Sequence, residues 1–189
     1  MSESTAAREA PRTVLEAWFA GAPADPAAAL GQAAARARER AFVVLPLGLQ
    51  AETDARELAS LHAAIALQSV RHGRPMAPTV LLSAGPVLHN GAAAGAADFL
   101  LALALSLDEN PLIHAWASGA GVPADAGGTE NSGYWIGPDT IRRSLAAGLQ
   151  PGAILARGEA PTLFAALGDA VAPTARSGHV LRAILICMA

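Results

Sequence analysis

Three glycine-rich segments of this 189-residue chain stand where an α/β enzyme sets its reacting groups. They are Ser83 to Asp98 (SAGPVLHNGAAAGAAD), Ala117 to Gly133 (ASGAGVPADAGGTENSG) and Ala172 to Val180 (APTARSGHV). Most of their side chains are alanine, glycine and proline, which cannot shuttle a proton, ligate a metal or clamp a phosphate. The exceptions define the chemistry on offer. His89, His114 and His179 supply three imidazoles, a zinc-competent donor set, but no metal-ligand spacing connects them and no metal is expected. Asp125 and Glu130 supply two carboxylates on a glycine-rich loop, where acids are ordinarily solvated. Ser83 precedes a glycine-containing turn without the GxSxG elbow of an activated serine. Gly91 and Gly95 frame a small-residue run ahead of a helix, where backbone amides can approach an anion. Weak binding of a phosphate, carboxylate or hydroxy acid is the expectation there.

Composition narrows the function classes. An apolar fraction of 52% with 15% charged residues marks a chain that folds around a core, and the 4% aromatic content makes that core largely aliphatic. All 13 basic residues are arginine, so the chain holds neither a Schiff-base lysine nor a Walker-type phosphate lysine. A net charge of −3 without a basic stripe argues against a nucleic-acid partner. Cys187 is the one cysteine; it sits in a terminal apolar run and reads as a core residue. The N-terminus is polar and mixed in charge, unlike a secretory signal. The longest apolar stretch, Phe99 to Leu107, is about half a membrane span. A soluble, cytoplasmic protein without a membrane partner or cofactor is expected.

The elements that must position these loops alternate along the chain. Asp25 and Pro26 open a helix with a capping side chain and a first-turn proline, and Arg36, Arg38 and Arg40 suggest its solvated end. Ala41 to Gly48 reads as a buried strand. Thr53 to His72 reads as a helix with Leu58, Leu61 and Ile65 on one face. PTVLLSAG is a second strand, Asp98 to Leu107 a buried helix and Leu112 to Ser118 a third strand. A helix follows Gly137-Pro138-Asp139 with Ile141 and Leu145 as its apolar positions, and shorter helical pieces span Gly152 to Ala156 and Thr162 to Leu167. LRAILICM closes the chain as a central strand. This order predicts an α/β domain whose sheet is covered by helices on both faces and is at least partly parallel. Residues 1–29 form a separate N-terminal segment whose Val14, Leu15, Trp18 and Phe19 suit docking onto the body or onto another subunit, ahead of a domain over 30–189.

From about Leu30 to Met188 the chain resembles the C-terminal half of the class II glycerate 2-kinases, also called hydroxypyruvate reductases, which contains the MOFRL domain. The stretches that carry this are AAARARERAFVVLPLG, DARELASLHAAIALQSVRHGRPMAPTVLLSAG, DFLLALALSL, WIGPDTIRRSLAAGLQP and LFAALGDAV, in the family's order and spacing. The resemblance implies a three-layer α/β/α domain with a mixed, partly parallel sheet, packed in the full-length family against an N-terminal Rossmann-like domain with glycerate and nucleotide between the two. Residues 12–30 look like the start of such kinases, as if most of that first domain, with its catalytic lysine, were missing. The family's motifs are altered. Its GGE becomes Ala84, Gly85 and Pro86; its GRGGRNQEF becomes AAGAADF, with Gly95 for the arginine, Ala96 for the asparagine and Asp98 for the glutamate. TDGIDGPTD becomes VPADAGGTE, where Pro123 and Ala126 replace aspartates and Glu130 keeps the last acid. GPTGTNVND becomes APTARSGHV, with Ser177 and His179 for asparagines and Val180 for the aspartate.

Phosphoryl transfer depends on positioned cations, and one charge-stabilising group is commonly worth about a hundred- to a thousandfold in rate. The expectation is a non-catalytic relative of the C-terminal domain that acts as a subunit or regulator in an oligomer or complex. The alternative is an enzyme or half-enzyme acting on a small hydroxy acid with ATP. Gly91, Gly95, Glu130, Ser177 and His179 make the expected vestigial ligand site. Trp18, Phe19, Trp116, Tyr134 and Trp135 are expected to anchor a homo-oligomer or a second subunit, because large rings bury much area at modest entropy cost.

Overall fold

A computed structural model of the chain describes residues 3–50, 54–73, 77–86, 92–119, 132–171 and 179–188. In chain order the elements are α1 (Glu3–Phe19), α2 (Pro26–Glu39), β1 (Val43–Leu49), α3 (Ala55–Gly73), β2 (Thr79–Pro86), α4 (Ala92–Leu107) and β3 (Ile113–Gly119). They continue with β4 (Ser132–Ile136), α5 (Thr140–Ala146), α6 (Pro151–Ala156), α7 (Ala160–Leu167), β5 (Ala170–Val171) and β6 (His179–Ile186). One sheet holds the strands in the order β1-β2-β6-β3-β4-β5. β1 and β2 are parallel, and β6 inserts antiparallel between β2 and β3, so the sheet is mixed as expected.

Alternation along the strands sorts the core into two layers. Leu81, Val180, Ile184, Ala115, Tyr134 and Ile136 pack with α3, α4, α6 and α7. Val80, Leu82, Leu181, Ala183, Trp116 and Trp135 pack with α1 and α2. Helices therefore cover both faces, and the three-layer architecture is the one that forms.

Local signals explain several boundaries. The Asp25 carboxylate accepts the Ala28 N–H at 2.7 Å, and Pro26 takes the first helical position of α2. Arg36 does not mark a solvated end: its Nη1 donates to the carbonyls of Ala17, Trp18 and Ala20 at 2.8–3.0 Å, capping the end of α1. α4 begins at Ala92 rather than Asp98, because the alanine run outweighs the single Gly95. On α3 the buried face is Leu58, Ala59, His62, Ala63 and Ala66, whereas Leu61 is 53% exposed; small residues let the helix lie close on the sheet and turn Leu61 outward. Leu145 is likewise exposed, and Cys187 is half-buried rather than central. β4, which starts at the end of the second glycine-rich segment and has no expectation of its own above, is a strand of five residues.

The five aromatics expected at an interface are inside the chain, at 0–2% exposure. Phe19 stacks on Trp116 with centroids 4.5 Å apart, and Trp18 meets Phe42 edge-on at 4.9 Å. Trp135 stacks on His114, and Tyr134 leans on Phe164. For the four on the α1/α2 face the physical reason is the alanine-rich α2 (Ala29, Ala33 and Ala37 all buried), which leaves depth that large rings fill, whereas Tyr134 is covered from the other face by Phe164 of α7. An interior ring and an interface ring carry the same sequence signal.

The outer sheet edge depends on one missing methyl. A Cβ on Gly133 would sit 2.5 Å from Val171 Cγ2 across the β4–β5 pair. Gly133→Ala is expected to destabilise the fold by about 1–3 kcal/mol. Adding Val171→Ala should recover part of that loss in a urea-unfolding double-mutant cycle, whereas strictly additive losses would show that the contact is not responsible.

Candidate functional site

Strand direction brings the attachment points of all three glycine-rich segments to one end of the sheet. β2 leaves at Pro86 opposite His179, where β6 enters, and β3 leaves at Gly119 opposite Ser132, where β4 enters. α4 also starts at this end, on the face it shares with α3, so its first backbone N–H groups carry the helix's positive end there. Open α/β sheets bind ligands at such carboxyl strand ends.

Of the expected ligand residues, Gly91, Glu130 and Ser177 lie outside the described residues. Gly95 is in the first turn of α4, and a Cβ there would meet nothing within 4 Å. His179 is half-buried at the first position of β6. Alternation from Val180 and Leu181 places it on the α1/α2 face, so it shares an end of the sheet with Gly95 but not a face. His114, in contrast, is in β3 against Trp135, and His89 lies outside the described residues. Among the described residues no group of three or more His, Cys, Asp or Glu is placed to hold a metal ion.

The α3/α4 face holds polar groups that the sequence reading did not bring together. His62 Nδ1 lies 2.8 Å from the Leu58 carbonyl and His62 Nε2 2.9 Å from Ser83 Oγ. A carbonyl only accepts, so Nδ1 carries the proton and Nε2 accepts the Ser83 hydroxyl. That is the hydrogen-bond pattern of a serine beside its base, yet both residues are 1% exposed. Burial, together with the nearby charge of Arg182, lowers the His62 pKa to about 4 in spite of the Leu58 hydrogen bond. The pair is a neutral internal strut.

Arg182, in β6, pairs directly opposite Ser83 of β2 and is 6% exposed. Its guanidinium lies over the Phe99 ring at 5.1 Å and beside Gly85, where a Cβ would come within 3.1 Å of Nη1. Burial draws its pKa down to about 10, which leaves it charged near neutrality. Asp98, one residue before Phe99, has a carboxyl pKa raised by burial in spite of the Arg56 charge. The available sequence signal for Arg182 is a lone charge between Leu181 and Ala183 in an otherwise apolar strand. For His62 it is a histidine one turn after Leu58.

The chain is 34% identical over 172 residues to an Agrobacterium vitis protein named "putative hydroxypyruvate reductase", and 35% identical over 172 residues to a second of the same name and organism. It is related to those proteins. The matches cover 86% of this chain and 44% and 39% of theirs, so the chain spans less than half the length of the relatives it matches. No protein-family model matches it. Its fold is similar to part of a glycerate kinase from Thermotoga maritima, with a TM-score of 0.70 at 21% identity over 86% of this chain and 40% of the other. A Pyrococcus horikoshii protein gives a TM-score of 0.69 at 14% identity over 87% of this chain and 39% of the other. No helix among the described residues is long and apolar enough to cross a membrane.

The His62 pKa sets a pH dependence. The folded state holds the ring neutral to about pH 4 while the unfolded chain protonates near 6.5. The unfolded state therefore binds more protons between these values, and stability falls as pH drops from 6.5 toward 4, by roughly 3 kcal/mol at full extent. Urea unfolding of wild type and His62→Gln from pH 7.5 to 4 should show a steeper decline for wild type. Parallel curves would mean that the ring titrates normally.

Proposed function

We propose that this chain is a non-catalytic relative of the glycerate kinase C-terminal, MOFRL-containing region, and that it acts as a subunit or regulator within an oligomer or a complex. The observation that carries this reading is the state of the loop end. Where the resemblance places an arginine, α4 offers bare backbone at Gly95 facing open space. The serine–imidazole pair nearby, His62 and Ser83, is sealed and neutral. Phosphoryl transfer needs cations aimed at the transferring group and a reachable proton acceptor. An N-terminal segment over residues 1–29, whose expected end falls inside α2, and a cytoplasmic location belong to the same proposal. α1 is the part of the N-terminal segment that this reading treats as docked, through Leu15, Trp18 and Phe19.

A second reading, a half-enzyme that acts on a small hydroxy acid with ATP once another polypeptide completes it, draws on one observation: the buried, charged Arg182 at the same end. The full chain incubated with ATP, magnesium and glycerate should release no phosphoglycerate above buffer, and native mass spectrometry of protein drawn gently from its own host should show an oligomer or a second subunit. Turnover that disappears on Arg182→Met would replace the first reading with the second.

A further inference from the structure

Arg182 poses a problem of charge accounting. Its side chain is more than nine-tenths buried, and Nε and Nη1 are sealed from solvent with no hydrogen-bond partner. It forms no ion pair among the described residues, and burial is the cause of its lowered pKa, with no carboxylate drawing it the other way. Asp98, one residue from Phe99 on α4, feels the charges of Arg56 and Asp54, and burial holds its carboxyl above the usual carboxylate range. His62, the other titratable group facing it, is neutral near physiological pH and cannot balance it. The Phe99 ring face offsets part of the penalty, as a cation over an aromatic ring does. A guanidinium with unused donors in a low-dielectric site has room for a stronger partner, and the planar N–H fork fits an oxyanion.

The surroundings point the same way. Arg182 faces the side of the sheet covered by α4, and its tip reaches past Ser83 to Gly85, toward the end where α4 begins. Phe99, beneath the guanidinium, and Gly95, facing open space, are one turn apart on α4. Residues four apart share a helix face, so Gly95 lies one turn nearer the loop end than the ring beneath the guanidinium. Gly85 completes the clearance: any side chain there would press on Nη1 and Nη2.

We propose that Arg182, with Gly85 beside it and the first turn of α4 at Gly95 above it, forms a receptor for the oxyanion group of a small metabolite. The guanidinium gives the charge-assisted hydrogen bonds and α4 the helix-terminal field. The site stands beside the non-catalytic reading rather than on it, since binding and phosphoryl transfer are measured separately.

The test uses the full chain in chloride buffer, with inorganic phosphate and acetate added at matched ionic strength, and reads the thermal unfolding midpoint. A ligand that binds only the folded state raises that midpoint in proportion to the logarithm of its concentration once saturating. Wild type should respond to at least one of the two, phosphate marking a phosphoryl group and acetate a carboxylate as the natural ligand. Arg182→Met should lose the response, with apparent affinity at least tenfold weaker, and should unfold no earlier than wild type in chloride alone. That last result follows because an unbalanced buried charge is replaced by an apolar chain. If Arg182→Met does not fold, Gly85→Val supplies the test: it keeps the charge, crowds the guanidinium and should weaken the response. Equal responses in wild type and variant, no response in wild type, or a folded Arg182→Met that unfolds well below wild type in chloride would each overturn the proposal.

Discussion

A guanidinium charge held in the third strand of a six-stranded sheet, between Ser83 and Ala117 on the flanking strands, constrains everything packed on that face. Moving an ion of this size out of water costs on the order of several kcal/mol even after relaxation. The neighbours are those that such a charge tolerates: an aromatic ring face, a glycine, and an imidazole kept neutral. His62 satisfies Ser83 without adding a second charge, and Ala59, Ala63 and Ala66 let α3 approach the sheet closely. Across most of the remaining face the core is aliphatic, from Leu81 and Ile184 to Leu100 and Leu103, and this burial offsets the local penalty.

The two faces of the sheet solve different problems. On the α1/α2 face, alanines on α2 and large rings from α1, β3 and β4 interlock, and Arg36 closes the end of α1 through three carbonyls. On the α3/α4 face His62, Ser83 and Arg182 lie together near the loop end, amid apolar side chains. A fold with this division can lose side chains from its loops while its layers persist.

Much of the architecture was legible because it rests on local rules. The Asp25–Pro26 start, the strand over LRAILICM and the alternation of helices with strands all follow from capping, period and turn chemistry. What escaped depends on tertiary context. The extra helical turns before Asp98 needed alanine propensity to win over Gly95, and β4 needed a partner strand on each side. Trp18, Phe19, Trp116, Tyr134 and Trp135 looked like anchors for another chain because sequence records that a ring must be covered, not by what. At the candidate site, Gly95 and His179 were drawn to one end of the sheet but to opposite faces, since a single residue of strand register decides the face. Arg182 was hidden inside a strand that otherwise reads as core.

The most direct measurement is the side-chain Nε–H signal of Arg182 in a nitrogen–proton NMR spectrum, assigned by its loss in Arg182→Lys and followed through a phosphate and an acetate titration. An oxyanion receptor predicts a signal that moves saturably with at least one anion and becomes more protected from solvent exchange as it does. A signal indifferent to both would contradict it, and would mean that the charge in the middle of this sheet is balanced by the chain itself.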